Sequence, residues 1–339
     1  MKGKQGLVCM GLLLVLSSCS CHTGKQITAS GLQRKDFQTE VNGQHTDLFT
    51  LSNKQGMEVC ITNYGARVVS ILVPDRNGKR EDVVCGFSTI TEYMEQRQNF
   101  GSTVGRYIGR ILNARFTLDG VEYKLVPNNG KSGHISHGGN PGFADRIWKV
   151  EQADTHRVRL SYLSPDGENG FPGNLKVTLV YSLGEDDNAL DLTYEATTDA
   201  PTVLNLSHHS FFNISGNFTK SVEDQQLWVD ADRFTPYDDK KCVTGEYLPV
   251  AGTPLDFRMP HTIGECIDAD HPQLKVVNGY DHTWELNTKG DDTRPAAWVY
   301  DPASGRKMEI FTTEPGMQIY TGNGLKGKMT GKGGIAYPF

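Results

Sequence analysis

From about residue 48 onward, apolar and polar positions alternate with a period of two along most of the chain. Val158-Arg159-Leu160-Ser161-Tyr162-Leu163, Val177-Thr178-Leu179-Val180-Tyr181 and Leu190-Asp191-Leu192-Thr193-Tyr194-Glu195 each put apolar side chains on one face. That is the signature of half-buried strands. Turn signals separate the runs. Asp119-Gly120, between Phe116-Thr117-Leu118 and Val121-Glu122-Tyr123, predicts a two-residue hairpin. Asp301 to Gly305 predicts a second, joining Trp298-Val299-Tyr300 to Met308-Glu309-Ile310-Phe311. No amphipathic helix longer than about three turns stands out, and Thr89 to Asn99 is expected to hold one short helix. With no internal repeat and no low-complexity tract, the pattern predicts one extended antiparallel β domain.

A chain of 339 residues buries enough apolar surface to need neither disulfide nor metal for stability. Its 37 glycines and 15 prolines are scattered as turn punctuation rather than gathered into linkers, which suits many short strands. A net charge of −6 without a basic, aromatic-interleaved stripe argues against a nucleic-acid partner. The first residues read as a processing segment: Lys2 and Lys4, then an apolar run from Gly6 to Leu16, too short to span a bilayer. Leu16-Ser17-Ser18-Cys19 resembles a bacterial lipobox. The expected organisation is a lipoprotein signal peptide at 1–18, a lipid-anchored polar tether at 19–35 starting at lipidated Cys19, and a β domain at 36–339. The expected location is outside the cytoplasm, on the periplasmic or cell-surface side of a bacterial membrane. Cys60, Cys85, Cys242 and Cys266 lack C-x-x-C spacing, and sequence leaves their pairing open.

The densest candidate chemistry lies in Leu204-Asn205-Leu206-Ser207-His208-His209-Ser210-Phe211-Phe212-Asn213. On a strand, Asn205, Ser207 and His209 share one face, and Leu204, Leu206 and His208 the other. His209 is thus presented among polar groups, and imidazole is the usual proton-transfer group near neutral pH. Other motifs fail. Gly101, Gly105 and Gly109 do not form G-x-G-x-x-G, and Leu125 stands where a phosphate loop ending in Gly130-Lys131-Ser132 needs its first glycine. His134-x-x-His137 lacks a carboxylate at a convincing metal spacing.

Eight ordered segments together resemble the aldose 1-epimerase (galactose mutarotase) family. They are Asn63-Tyr64-Gly65-Ala66, Gly105-Arg106-Tyr107-Ile108-Gly109-Arg110-Ile111, His137-Gly138-Gly139 with Gly142-Phe143, and Asp166-Gly167-Glu168-Asn169-Gly170-Phe171-Pro172-Gly173. Thr202 to Asn213 follows, then Gly252-Thr253-Pro254-Leu255-Asp256-Phe257-Arg258, Gly279-Tyr280-Asp281-His282, and Thr312-Thr313-Glu314-Pro315-Gly316 leading to Tyr320-Thr321-Gly322-Asn323. The resemblance implies an all-β fold, a large antiparallel β-sandwich of the galactose mutarotase-like supersandwich type. It implies exchange of the α and β anomers of free aldoses such as galactose and glucose, through acid/base ring opening and without a cofactor or metal.

By the same resemblance, His209 is the general acid on the ring oxygen and His137 the second catalytic histidine. Arg110 and Asp281 are expected to bind sugar hydroxyls, and Glu314 to bind sugar. Gly109 stands where many relatives carry asparagine. Family members continue past the segment resembling Gly333 to Pro338 into a Leu-Glu-Thr-Gln motif whose glutamate is the general base; these 339 residues contain no match to it. Three expectations stay open: a truncated or frameshifted epimerase, a non-catalytic carbohydrate-binding protein on the same scaffold, or Glu314 or Asp281 serving as a slower base. Weak or absent mutarotation is expected of these 339 residues.

Overall fold

Strand Glu58–Thr62 is buried along its whole length, because its alternating side chains serve two different cores. In the computed structural model, which describes residues 26–325 and 327–338, Val59 and Ile61 enter one hydrophobic cluster and Cys60 enters another on the opposite face. The antiparallel sheet Leu48–Ser52, Glu58–Thr62, Arg67–Pro74, Arg80–Asp82 is therefore a shared central layer. Its inner face packs against the sheet Lys149–Ala153, Arg157–Ser164, Leu175–Leu183, Leu190–Thr198. Val68, Ile71, Val158, Leu160, Val177, Leu179 and Trp148 fill the space between them. Each such side chain contributes roughly 1.5–3 kcal/mol on burial.

A second lobe stacks two more four-stranded sheets. One holds His261–Thr262, Gln226–Val229, Ala297–Tyr300 and Lys307–Ile310; the other holds Leu248–Pro249, Arg233–Thr235, Asp281–Glu285 and Gly316–Tyr320. Leu227, Phe234, Phe257, Tyr280 and Trp284 form the core of this lobe. The layered antiparallel sheets bear out the expected all-β sandwich, and both predicted hairpins form. Leu118 pairs Val121 across Asp119-Gly120, and Tyr300 pairs Lys307 across the Asp301 turn.

The predicted short helix is α1, Ile90–Gln96, started by a Thr89–Glu92 capping box. A second short helix, α2, Pro272–Val277, was not anticipated; Pro272 at its first turn and the His271 ring on the Gln273 N–H start it.

Two expectations are corrected. The segment Leu204–Asn213 is not a continuous strand: regular pairing is confined to Ser207–His208 against Thr103–Val104, and Leu204 is exposed. The intervening backbone bonds instead to irregular partners, as where the Ile108 N–H donates to the Asn205 carbonyl. Residues 26–35, read as tether, belong to the folded body. Leu32 is buried in the core with Phe37, and the Ala29 N–H donates to Glu58 Oε1 at 2.7 Å. The signal peptide and Cys19 lie outside the described residues. Cys60, Cys85 and Cys242 are buried free thiols, and Cys266 is half-buried and free.

Residues 329–338 close the outer face of the central sheet. Tyr337 packs against Phe100 and Phe218, and its hydroxyl donates to the Gly86 carbonyl at 2.7 Å. Lys332 Nζ donates to the Val69 carbonyl at 2.7 Å and pairs with Asp82 at 2.5 Å.

Candidate active site

The site is built from backbone segments held closer than side chains allow. A Cβ on Gly138 would lie 1.9 Å from the Gly105 carbonyl oxygen, and one on Gly101 1.9 Å from that of Val68. Both glycines also take positive φ, so nothing larger fits either position. Gly101 in turn fixes the candidate acid: its N–H donates to the His209 carbonyl, and the His209 N–H donates to the Ser102 carbonyl, each at 2.9 Å. Gly138 brings the His137 turn against the Gly105-Arg106 backbone, with His137 itself at φ +54°.

The two histidines that sequence placed apart meet here. Their rings stand perpendicular with centroids 5.5 Å apart. The His137 N–H donates to the Gly109 carbonyl at 2.9 Å, and its ring Nδ1 accepts from the Gly109 N–H at 3.3 Å. With Nδ1 an acceptor, the imidazole proton sits on Nε2, free to donate into the site. Burial first, then the neighbouring His209 and Arg110, push the His137 pKa down to about 3. Burial likewise lowers His209, and the Arg67 charge adds to the effect. His137 is therefore neutral at rest, and the lowered pKa of His209 makes its imidazolium a stronger acid than that of a free histidine.

His208 points elsewhere, as the alternation predicts: its Nε2 lies 2.6 Å from Ser210 Oγ and its ring 6.2 Å from Tyr181. His134 also turns away. It is buried, and its Nδ1 accepts from the Asn113 N–H at 3.0 Å, so the H-x-x-H pair does not converge.

An aromatic wall links the histidines to the second lobe. Phe211 stacks on His209 at 5.1 Å, and Tyr320 meets Phe211 edge-on at 5.5 Å. Tyr320 is the strand partner of Asp281. Burial raises the Asp281 pKa, opposed by its bond to Gln318 and the charges of Arg110 and Lys241. Arg110, whose Nη1 donates to the Lys241 carbonyl at 3.0 Å, acts electrostatically on both His137 and Asp281. Four of the five candidate residues are thus linked: His137 and His209 by ring contact, and His137 and Asp281 through the charge of Arg110.

The fifth is not. Glu314 is exposed and lies beyond the Glu285–Gly316 end of the strand pair whose other end is Asp281–Tyr320. Between Glu314 and that other end runs the five-residue strand Gly316–Tyr320, about 17 Å at roughly 3.4 Å per residue. Strand register thus sets Glu314 at the opposite end of the pair from Asp281, apart from the other four candidates. The residue that sequence reasoning missed is Gln318, whose Nε2 donates to Asp281 Oδ1 at 2.8 Å and to the Tyr237 hydroxyl at 3.3 Å. A signal was present, since Gln318 is the polar residue between Met317 and Ile319, which turn toward the core.

The remaining motif residues are scaffold. Arg106 is buried and donates to Ser164 Oγ and to the carbonyls of Ser164, Pro165 and Pro172 at 2.7–3.0 Å. Asn169 Nδ2 donates to the Gly138 and Pro141 carbonyls at 2.9 Å, bracing the His137 turn. Asn323 Nδ2 donates to the Tyr280 carbonyl at 2.9 Å, fixing the residue before Asp281.

Fold and site together define an all-β sandwich in which a histidine pair stands near an arginine and a half-buried carboxylate. The sequence model of the family described as Aldose 1-epimerase matches residues 47–338. Galactose mutarotase of Sus scrofa is 39% identical over 290 residues, covering 86% of this chain and 81% of that protein. Aldose 1-epimerase of Escherichia coli (strain K12) is 36% identical over 286 residues, covering 84% and 81%. Among solved structures, an aldose epimerase homologue from C. elegans superposes with a TM-score of 0.77 at 30% identity over 86% of each chain. Galactose 1-epimerase from Lactobacillus acidophilus NCFM gives a TM-score of 0.74 at 30% identity, over 84% of this chain and 82% of that one. The chain belongs to the aldose 1-epimerase family.

Proposed function

We propose that this protein is an isomerase that interconverts the α and β anomers of free aldohexoses such as galactose and glucose. The observation that carries the reading is the perpendicular His137–His209 pair, 5.5 Å between centroids, beside Arg110 and Asp281. In this reading His209, in its imidazolium form, passes a proton to the ring oxygen and becomes neutral, while the C1 hydroxyl gives its proton to a carboxylate base. The ring opens, the C1–C2 bond turns, and closure on the other carbonyl face returns both protons. His137, neutral with its proton on Nε2, donates a hydrogen bond toward the same oxygen. Arg110 and Asp281 orient the hydroxyls, the guanidinium as donor and the carboxylate as acceptor. Only protons move, so the residues need no redox partner.

The resemblance gives the base role to a glutamate of the Leu-Glu-Thr-Gln motif. Within the described cluster Asp281 is the carboxylate at hand, and its raised pKa suits proton acceptance. Lipid anchoring through Cys19, with work on the outer side of a bacterial membrane, is part of the proposal and rests on the lipobox-like Leu16-Ser17-Ser18-Cys19.

Polarimetry on freshly dissolved α-D-galactose tests the reading. The expected result is a rate above buffer that His209→Ala lowers by about 10²–10⁴-fold. Sugar binding with no acceleration would replace it with the non-catalytic carbohydrate-binding reading, which the enzyme names of the relatives do not favour.

A further inference from the structure

The two N–H groups of Gln318 donate to Asp281 Oδ1 at 2.8 Å and to the Tyr237 hydroxyl at 3.3 Å. Its Oε1 accepts from Thr283 Oγ1. What Gln318 does is hold two other groups at a fixed separation. Asp281 keeps Oδ2 as an acceptor, and Tyr237, accepting from Gln318, keeps its own O–H hydrogen to donate.

Tyr237 is unusually well fixed for a residue in an irregular segment. Its N–H donates to Gln273 Oε1 at 2.8 Å, and Gln273 Nε2 donates back to its carbonyl at 3.0 Å. The ring lies 5.4 Å from that of buried His282. It also bridges Val243 across the loop whose Lys241 carbonyl accepts from Arg110. Burial and the Asp281 charge raise its pKa, so the phenol remains a donor at neutral pH. A rigid donor beside a rigid acceptor suits a polyol, because each hydroxyl both gives and receives a hydrogen bond.

We infer that Tyr237 is a substrate-positioning residue: its phenol, spaced from Asp281 by Gln318, donates to one aldose hydroxyl next to the one that Asp281 receives. The inference rests on the aldose reading of the site. It assigns the phenol the reading of one hydroxyl, with Gln318 holding it beside Asp281.

The test compares the protein with its Tyr237→Phe variant, using calorimetric titration and polarimetry with D-galactose and its 2-, 3-, 4- and 6-deoxy forms. The expected result is about a tenfold rise in Kd and KM for galactose, near one hydrogen bond's worth, with kcat within twofold. One deoxygalactose, lacking the hydroxyl that the phenol reads, should bind both proteins equally. Unchanged galactose affinity in the variant would overturn the inference, as would equal weakening for every deoxy sugar. Phenylalanine keeps the ring against His282, and an unchanged Tm checks that the fold is intact. Absence of galactose binding by the unaltered protein would sink the aldose reading itself, a result distinct from binding that ignores the substitution.

Discussion

The two halves of the site are presented by opposite kinds of backbone. His137 and His209 come from the first lobe on irregular chain, with two-residue strand pairings and carbonyls packed into glycines. Asp281 and Gln318 come from the second lobe on regular strands, Asp281–Glu285 against Gly316–Tyr320, five paired positions in unbroken register. On the histidine side, position depends on close backbone approach, which only particular residues tolerate. On the carboxylate side it depends on strand parity, which many sequences satisfy. The candidate acid–base histidines therefore sit where geometry is most sensitive to single substitutions, and the candidate hydroxyl-binding groups where it is buffered by a ladder.

The largest effect that separates the two halves is expected from Gly138→Ala. The new Cβ would fall 1.9 Å from the Gly105 oxygen, at a φ of +78°. A stability loss of about 3 kcal/mol or more and a collapse of mutarotation through His137 are expected, read by thermal melts and polarimetry. Full activity in a stable Gly138→Ala protein would break the claim that the histidine side is glycine-limited.

Acid should act on both lobes. His137 and His208 in the first lobe have pKa values near 3, and His282 in the second near 4, against 6.5 for a free histidine, all chiefly through burial. The folded state resists protonation and the unfolded state does not, so the stabilisation is present above pH 6.5 and is lost as pH falls toward 4. At pH 5 each group accounts for about 2 kcal/mol of loss, and Tm should drop steeply between pH 7 and pH 5. A flat Tm over that range would contradict neutral burial.

The smallest effects concern the strand-borne half. Gln318→Ala is expected to raise KM about tenfold by releasing Tyr237 and Asp281, whereas Glu314→Gln should leave kcat and KM unchanged. Reversal of that pair in steady-state kinetics would put the sugar at the other end of the strand ladder.

Local rules made much of this readable. Asp119-Gly120 and the Asp301 turn act within a few residues and formed as expected, as did the short helix within Thr89 to Asn99, which a Thr89–Glu92 capping box starts. His209 and Asp281 were picked out by motif, as were His137 and Arg110, and they converge. Glu314 was picked out by its motif alone, whereas its separation from Asp281 follows from pairing with a partner strand. Leu204–Asn213 was misread as a strand because alternation is necessary for a strand but does not supply the neighbour it must bond to.

The sequence by itself determined the antiparallel strand content, the hairpins and the proton-transfer chemistry of the chain, because side-chain alternation, turn preference and imidazole basicity are properties of short segments. Tertiary structure alone decided which polar residues share a space. Gln318 reaches Asp281 and Tyr237, Glu314 does not, and Arg106 and Asn169 serve as braces. Those outcomes depend on register between strands and on carbonyls packed into glycines far away along the chain, and no local pattern encodes such distances.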